Sequence, residues 1–408
     1  MTRTNLSALP APPERVLKLR LPKNLSDIIR RGHPWLYART APPPREPGPP
    51  GSFVTLYDDK NKFLAVGLYD PSGAISVRVF HRGKPMPIDR GFFAARLAEA
   101  LELRAPLAAT GTTGYRVLYG ENDGLPAAVL DRYADTFVLK LYSTAWVPHL
   151  PALLDGIDDV LAPRSLVLRF PATVAARVSE LHGLTDGMAL VGTAPEAPVV
   201  FTENGLVFEA DVVRGQKTGF FLDQRENRAK VRDLARGRST LNICSHAGGF
   251  SVSAAAGGAP NVASLDISPR ALESARRTFA LNPSIAGVPH ELLAGNAFDV
   301  LPELATKHRK FGLVILDPPS FAMREVDKAG ALISYRTLNA RAAALVEPGG
   351  LFVTCSCSAH VTPDEFEDAV QQGLRGHPSR LVDRTGHALD HPVRFKEGAY
   401  LKALWYRF

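Results

Sequence analysis

Two cysteines separated by one residue are the side chains of this sequence best suited to covalent chemistry. Cys355 and Cys357 follow an apolar run at residues 351–354, whose composition predicts a buried strand. In extended backbone, residues two apart point the same way, so we expect both thiols to face one sheet edge. A thiolate there can attack C6 of a pyrimidine and make C5 nucleophilic enough to accept a methyl group. The alternative is that both cysteines pack as inert small hydrophobic residues.

An acidic residue before two prolines is a second candidate for chemistry. Asp317 follows an apolar run at residues 312–316 and precedes Pro318 and Pro319. Because proline fixes its backbone angle and cannot continue a sheet, the pair holds Asp317 rigidly at the end of a strand. Methyltransferases that act on nucleic-acid bases often carry an acid-Pro-Pro turn here, where the acid hydrogen-bonds the base edge. The alternative is a simple strand stop.

A glycine turn lies between two further predicted strands. An apolar run at residues 241–244 leads to Gly248 and Gly249, then to an alanine-rich helix, and a second strand ends on Asp266. This order of elements begins a nucleotide-binding crossover. The glycines let the backbone approach a ligand closely, and the acid can accept hydrogen bonds from ribose hydroxyls. Glycine-rich turns of this kind also occur for packing alone.

The segment at residues 215–225 has the sequence GQKTGFFLDQR. It is similar in composition to a phosphate-binding P-loop, but its spacing is wrong for that motif. The N-terminal part of the segment is flexible and basic, and its C-terminal part is apolar and acidic. We expect the segment to fold over a cofactor, with Asp223 and Arg225 contributing to the walls, unless it is only the tail of a hairpin.

The elements that must position these residues fall into three regions. From about residue 200, predicted strands alternate with helices, which indicates an α/β domain with a doubly wound parallel sheet. Ligands of such sheets bind at the carboxyl ends of the strands, where Asp266, Asp317 and the two cysteines lie in the sequence. Residues 87–197 predict an α+β unit, and residues 14–84 a β-rich module. In that module, aromatic residues 33–37 beside Arg30 and Arg31 could stack on bases, or simply form core.

Composition sets limits on the class of protein. Lys and Arg number 48 against 41 Asp and Glu, a modest surplus of +7 that is compatible with a polyanionic partner. Three cysteines cannot form a disulfide framework and suit a reducing compartment. No apolar stretch reaches the length of a membrane span and the N-terminus lacks a signal core, so we expect a cytoplasmic protein without membrane contact. Residues 1–13 are expected to be disordered, and the spacing of Cys and His residues predicts no metal site.

Four motifs together carry a resemblance to a known family. They are VRGQKTGFFLDQREN, NICSHAGGFSVSAAAGGA, LDPPSF and TCSCS. They resemble the large-subunit ribosomal RNA methyltransferase I family, which forms 5-methylcytosine in 23S RNA. The resemblance extends upstream to RRGHPWLY and YGENDGLPAAVLDRY and downstream to DHPVRFKEGAYLK, so it covers residues 15–408.

The resemblance implies a three-domain organisation. It comprises an N-terminal PUA RNA-binding domain at residues 14–84, a central α+β domain at 87–197 and a Rossmann-like domain at 200–408. The last domain would bind S-adenosylmethionine. The resemblance further implies 23S ribosomal RNA as the partner, a cytoplasmic location and a homodimer.

Roles for individual residues also follow from the resemblance. Cys357 stands at the position of the nucleophile, whereas Cys355 stands where cysteine is unusual, so which thiol attacks is open. Asp317 would contact the target cytosine as well as the cofactor, and Asp266 would hold the cofactor ribose. The other residues expected to contact the cofactor are Phe220, Asp223, Arg225, Ser245, Gly248, Gly249, Phe250, Ile267, Ser268, Asn296, Ala297 and Pro318.

Several positions depart from the pattern of the family. His246 and Ala247 replace the usual Tyr-Thr, and Ser320 stands where a basic residue is common. No second cysteine lies beside the Pro-Pro turn, so another base must take the C5 proton. The sequence therefore predicts an RNA cytosine-C5 methyltransferase. One alternative is methylation of an exocyclic base nitrogen, although the aromatic Phe321 comes one place late for it, and another is a non-catalytic RNA-binding assembly factor.

Overall fold

A computed structural model of the protein describes residues 2–408. The chain divides into two compact units. The first contains the described residues up to Phe201 together with Ala210–Phe220 and Leu389–Phe395. The second contains Thr202–Glu209, Phe221–Ala388 and Lys396–Phe408. Two strands, β11 (Val199–Glu203) and β12 (Leu206–Ala210), form a two-stranded sheet where the chain passes between the units.

The first unit contains two five-stranded sheets. The first sheet has the order β1-β3-β4-β5-β2, in which β1 is parallel to β3 and the other pairs are antiparallel. Leu25 and Ile29 of a short helix pack into its apolar core, as the amphipathic spacing requires. Its elements are β1 (Leu17–Arg20), α1 (Lys23–Arg30), β2 (Trp35–Tyr37), β3 (Phe53–Tyr57), β4 (Phe63–Tyr69) and β5 (Ile75–Arg82).

The second sheet of this unit has the order β10-β9-β8-β7-β6. Two buried ion pairs, Arg104 with Asp123 and Arg116 with Asp131, lie beside it at 2.6 and 2.8 Å. Its elements are α2 (Arg90–Arg104), β6 (Gly114–Tyr119), β7 (Ala128–Tyr133), β8 (Thr136–Leu141), α3 (Leu150–Leu161), β9 (Ser165–Arg169), α4 (Ala172–His182) and β10 (Ala189–Val191).

The expectation of a disordered N-terminal segment is wrong. Arg3 forms an isolated bridge with Val191, and its guanidinium donates to Asp155 at 2.6 Å. The Thr4 hydroxyl donates to the carbonyl of Ala189 at 2.6 Å. The polar composition of this segment offers little to bury, but pairing with the edge strand β10 supplies backbone partners that composition alone does not reveal.

The second unit is built on a seven-stranded sheet with the order β15-β14-β13-β16-β17-β19-β18. The strands from β15 to β17 are parallel, and β19 runs antiparallel to both neighbours. Every residue of β16 is buried, as expected for a parallel strand covered on both faces. The predicted doubly wound sheet is therefore confirmed. Its strands are β13 (Thr240–Ile243), β14 (Val262–Asp266), β15 (His290–Ala294), β16 (Phe311–Leu316), β17 (Val346–Ser356), β18 (Arg380–Thr385) and β19 (Lys402–Arg407).

In the second unit the sequence predicts two helix starts, one at Ser268-Pro269 and one at a capping box, Thr362-Pro363-Asp364-Glu365, and the structure has both. Ser268 caps its helix by accepting from the Ala271 N–H, with proline at the first helical position. Thr362 and Glu365 form the predicted capping box. The helices are α5 (Arg225–Leu234), α6 (Gly249–Ala256), α7 (Pro269–Ala280), α8 (Ala297–Thr306), α9 (Lys328–Ala343) and α10 (Pro363–Gly373).

A buried ion pair connects α5 to the end of β11. The Arg228 guanidinium donates twice to Glu203, at 2.7 and 2.6 Å, and the two side chains are 3% and 2% exposed. Replacing Glu203 with alanine leaves a buried cation without its carboxylate, so we expect a loss of about 3–5 kcal/mol in the free energy of unfolding. Urea denaturation measures it. Glu273→Ala, which removes an exposed pair with Arg276, is the control and should leave stability almost unchanged; equal effects would contradict the expectation.

Candidate active site

The carboxyl ends of four neighbouring parallel strands bring the candidate residues to one edge of the sheet. Cys244 directly follows β13, Asp266 ends β14, and Asp317 directly follows β16. Cys357 directly follows β17. Because these strands are adjacent and parallel, their ends meet at the same edge, which the sequence predicts.

The turn after β13 has unusual backbone angles. Cys244 and His246 have φ values of 59° and 47°, and Gly248 has 75°. Left-handed conformations at non-glycine residues are costly and persist where the surroundings enforce them. Here the His246 N–H donates to the Asp266 carboxylate at 2.8 Å, and the Gly248 N–H donates to the Ser245 carbonyl at 2.9 Å. The turn is thus held in a fixed shape directly before α6.

The Asp266 carboxylate organises two loops at once. One oxygen accepts from the His246 N–H at 2.8 Å and the other from the Ser268 N–H at 2.9 Å. Its backbone carbonyl accepts from the Gly295 N–H at 3.0 Å, which brings the next loop alongside. Asn296 in that loop caps α8 by accepting from the Phe298 N–H.

The remaining predicted cofactor residues near this turn differ in exposure. Gly249 and Phe250 are buried in the first turn of α6, Ala297 is buried in α8, and Pro318 is buried beyond β16. Ile267, in contrast, is 70% exposed between β14 and α7. An exposed isoleucine beside Asp266 leaves apolar surface available to a ligand at that edge.

Asp317 is held by a glutamine that sequence reasoning missed. The Gln224 amide donates to the Asp317 carboxylate at 3.1 Å, while its oxygen accepts from Asn227 at 2.5 Å. The Asp317 N–H donates to the Ile243 carbonyl at 3.2 Å, which continues the pairing with β13. Gln224 lies within a motif carrying the resemblance, but nothing in its local sequence indicates that it reaches an acid so distant in the chain.

The two neighbouring thiols have different environments. Cys355 lies inside β17 with no exposed surface, and burial together with the Asp317 charge raises its pKa well above the usual range. Cys357 is half-buried beyond the last residue of the strand, Ser356. The two thiols therefore differ in burial, and the expectation that both face the ligand edge stays a prediction. Cys244 is also unsuited to attack, since burial raises its pKa to about 12.

A network of hydroxyl groups surrounds the residue after Cys357. The Ser358 hydroxyl lies 3.0 Å from that of Ser320 and 2.9 Å from that of Tyr335. The Ser356 hydroxyl donates to Tyr335 at 2.9 Å. The network joins the loop after β16 to the loop after β17, so it fixes both chemistry-bearing loops against α9. No sequence signal singles out Tyr335 among the apolar residues of that helix.

The segment at residues 215–225 is divided between the two compact units. Phe220 is buried in the first unit, where its ring lies 5.2 Å from that of Phe201. Asp223, in the second unit, accepts from the Tyr400 hydroxyl at 2.6 Å. Arg225 is buried and lies 3.0 Å from Glu226. The roles that the resemblance implies for these three residues stay predictions.

The residues that the structure describes contain no candidate metal centre and no helix that could span a membrane. Among residues 2–408, His, Cys, Asp and Glu side chains form no cluster of three or more that could hold an ion. Each helix in that range is too short or too polar to span a lipid bilayer.

Comparison with known proteins identifies the class. Residues 188–407 match a family model described as S-adenosylmethionine-dependent methyltransferase, and residues 19–82 match a PUA-like domain. A methyltransferase from Streptococcus mutans has the same fold, with a TM-score of 0.82 and 21% identity over 96% of this chain and 100% of its own. A second structure with the same values, SMU.776, is complexed with SAH. The fold and the matched domains are those of an S-adenosylmethionine-dependent methyltransferase with a PUA-like domain.

Relatives of higher identity define the family. A ribosomal RNA large subunit methyltransferase from Deinococcus radiodurans is 46% identical over 95% of this chain and 97% of its own. The ribosomal RNA large subunit methyltransferase I of Klebsiella pneumoniae is 33% identical over 94% and 96%. The chain belongs to the ribosomal RNA large subunit methyltransferase I family, so its cofactor is S-adenosylmethionine.

The residues at the turn fit this cofactor. The Ser245 hydroxyl is buried without a hydrogen-bond partner among the described residues, which leaves a polar position for a ligand to satisfy. A Cβ at Gly248 would lie 2.9 Å from the Ala275 Cβ, so only glycine permits this close packing of turn and helix. Asp266 stands at the end of the second strand, where ribose hydroxyls are held in folds of this type.

Gly248 provides a direct test of the turn. In Gly248→Ala the new Cβ meets Ala275 at 2.9 Å, and the residue must still adopt a φ of 75°. We expect the affinity for S-adenosylmethionine to fall about tenfold, equivalent to about 1.4 kcal/mol of turn distortion. Isothermal titration calorimetry measures the affinity. Gly287→Ala, at a position with nothing within 4 Å, is the control, and unchanged affinity in Gly248→Ala would contradict the role of the turn.

Proposed function

We propose that this protein transfers a methyl group from S-adenosylmethionine to C5 of a cytosine in large-subunit (23S) ribosomal RNA. The names of the relatives from Deinococcus radiodurans and Klebsiella pneumoniae support the RNA substrate. The observation that carries the C5 chemistry is the position of the Cys357 thiol. This thiol is half-buried at the edge of the sheet where Asp266 and Asp317 also lie, whereas Cys355 is enclosed within a strand.

In this proposal Cys357 acts as the nucleophile. Its sulfur forms a bond to C6 of the cytosine, and the electron pair of the C5–C6 double bond moves to C5. When bound, S-adenosylmethionine would supply an electrophilic methyl group to C5, with the S–CH3 bond broken and a neutral thioether, S-adenosylhomocysteine, left behind. After C5 is methylated, a base takes the C5 proton, the C5–C6 double bond re-forms, and the Cys357 thiolate leaves. The neighbouring loops, fixed by hydroxyl contacts, keep the sulfur in place through both steps.

Asp317 would orient the base. Gln224 donates to one of its carboxylate oxygens at 3.1 Å and so sets the rotation of the side chain. A carboxylate held at the strand end can accept from the exocyclic amine of cytosine, and it favours a proton at N3 as negative charge develops on the ring.

The first unit offers a surface suited to unpaired bases. The rings of His33, Trp35 and Tyr37 lie 5.9 to 6.2 Å apart, and Phe395 lies 5.0 Å from Trp35. The Trp35 indole is fixed by donating to Glu121 at 2.8 Å. Tyr37 is 37% exposed, which leaves a ring face for stacking. This arrangement supports RNA binding by the PUA-like domain rather than a purely structural cluster.

Two finer properties complete the proposal. A substrate in the ribosome implies a cytoplasmic location. A homodimer is also part of the proposal, on the resemblance to the family alone, and light scattering of the purified protein measures it.

The decisive experiment maps methyl groups in ribosomal RNA. The purified protein is incubated with S-adenosylmethionine and 23S RNA from cells that lack the gene, and the RNA fragments are analysed by mass spectrometry. We expect one additional methyl group on C5 of a cytosine. A methyl group on an exocyclic nitrogen would favour the alternative chemistry, and failure to bind S-adenosylmethionine in calorimetry would favour a non-catalytic assembly factor; either result overturns the proposal.

A further inference from the structure

A buried lysine lies against the loop that carries Cys357. Lys402, the first residue of β19, is 7% exposed. Its ammonium donates to the backbone carbonyls of Ser358 and Val361 at 2.7 and 2.8 Å. Both carbonyls belong to the loop that begins with Cys357. Burying an ammonium is unfavourable unless its N–H groups are hydrogen-bonded and its charge is paired with that of a neighbouring group. The position of Lys402 therefore calls for an explanation.

We infer that Lys402 is a positioning residue for Cys357, holding the loop of the thiol and supplying the positive charge that favours its thiolate form. The inference rests on the proposed function and adds a residue to it. Lys402 is not proposed to touch the reacting base or the cofactor. It acts through the sulfur and through the carbonyls that fix the loop.

The charges around Lys402 support the inference. Burial lowers the pKa of Lys402 to about 8, and the charges of Cys357 and Glu365 oppose this shift. Since an electrostatic interaction is mutual, a thiolate that favours the ammonium is itself favoured by it. Glu365, on α10, already pairs with Lys328 at 2.7 Å. Of the two groups whose charges oppose the shift, Cys357 is the one that begins the loop bound by Lys402.

The opposite side of the loop is held by a neutral group. The Tyr335 hydroxyl lies 2.9 Å from that of Ser358, and burial raises the pKa of Tyr335, so the phenol stays uncharged at neutral pH. Ser358 is thus fixed through its hydroxyl by Tyr335 and through its carbonyl by Lys402. Of these two groups only Lys402 is charged, and Cys357 directly precedes Ser358 in the chain. Lys402 is therefore the cation that we infer to act on the Cys357 sulfur.

Alkylation of the thiol tests the charge directly, without RNA or cofactor. Wild type, Lys402→Met and Lys402→Arg are treated with iodoacetamide over a range of pH, and modification at Cys357 is quantified by peptide mass spectrometry. Because the thiolate is the reactive form, we expect Lys402→Met to react about tenfold more slowly at about pH 7. Lys402→Arg keeps the charge and should remain within about threefold of wild type.

A matched control removes a lysine with a similar backbone contact. Lys310 is exposed and donates to the Ala344 carbonyl at 2.7 Å, directly before β16 and hence at the opposite end of the sheet from Cys357. Lys310→Met should alkylate as wild type does. Circular dichroism of each variant establishes that it is folded.

The pH dependence of methylation separates charge from structure. Lys402 loses its proton as the pH rises through its pKa of about 8, so its assistance to the thiolate is present at neutral pH and fades above that value. The kcat/KM of Lys402→Met should therefore be at least about tenfold below wild type at about pH 7 and approach it at about pH 9.5. A purely structural role would lower kcat/KM by the same factor at every pH.

The possible outcomes distinguish this inference from the proposed function. Equal alkylation of wild type and Lys402→Met overturns the inference, as does a folded Lys402→Arg as slow as Lys402→Met. If Lys402→Met does not fold, Lys402→Gln, which is also uncharged but can still donate to a carbonyl, takes its place, and alkylation of that variant at the wild-type rate overturns the inference. If alkylation slows as expected but Cys357→Ala still methylates C5, the coupling of Lys402 to the thiol stands and the proposed function fails.

Discussion

Cys357→Ala is expected to abolish methylation of C5, with a loss of at least about 10⁴-fold in kcat. Without the thiol no covalent bond to C6 can form, so every later step of the covalent mechanism is lost as well. C5 of cytosine is too weak a nucleophile to take a methyl group unless C6 is first attacked. Transfer of labelled methyl from S-adenosylmethionine to 23S RNA, followed by nucleoside analysis, measures the loss. Affinity for the cofactor should not change, because the thiol lies after β17 and the glycine turn lies after β13.

Cys355→Ala is the matched control for that prediction. Cys355 is two residues away and carries the same thiol, but it is enclosed in β17, and its raised pKa keeps it protonated. We expect its loss to reduce activity by less than about tenfold and to cost about 1 kcal/mol in stability for the lost packing. Loss of methylation in Cys355→Ala with activity retained in Cys357→Ala would reverse the assignment of the two thiols.

Asp266→Ala is expected to weaken binding of S-adenosylmethionine about 100-fold. Its carboxylate accepts from the N–H groups of His246 and Ser268, so alanine removes both contacts as well as the predicted ribose contact. A hydrogen bond to a charged group contributes about 1.5–3 kcal/mol, and a 100-fold change in affinity corresponds to about 2.7 kcal/mol. Calorimetric titration with S-adenosylhomocysteine measures the effect without turnover.

Two further variants define the cause of that loss. Asp266→Asn keeps one acceptor oxygen and should give an intermediate affinity, because its amide nitrogen cannot accept from a second N–H. Asp368→Ala removes an exposed carboxylate on α10 and should bind as wild type does. If Asp266→Ala also bound as wild type does, Asp266 would have no part in holding the cofactor.

Motif chemistry and hydrophobic pattern together predicted the frame of the site. The apolar runs before Asp266, Asp317 and the two cysteines are strands of one parallel sheet, and their carboxyl ends meet. This works because a strand buried on both faces needs a continuous apolar run, which local sequence reveals. The helix caps at Ser268 and Thr362 were predicted for the same reason, since a cap involves neighbours a few residues apart. The limits of the predicted domains stay predictions.

The groups that support the site could not be predicted in this way. Gln224 reaches Asp317, Tyr335 reaches Ser358, and no spacing rule connects residues so far apart in the chain. The different burial of Cys355 and Cys357 could not be predicted either, because the strand ends at Ser356, between the two residues. Strand ends depend on what the neighbouring strand offers for pairing, which is a property of the assembled sheet.

The sequence by itself determined the fold class, the family and cofactor, and which side chains come to the reactive edge, because these follow from local pattern and motif identity. Only the tertiary structure decided which of the two thiols is the more exposed and which cation binds the loop that follows it. Lys402 comes to the Cys357 loop because β19 pairs antiparallel with β17, placing Lys402 opposite Ser356. That register depends on the packing of the whole sheet, and no local stretch of sequence specifies it.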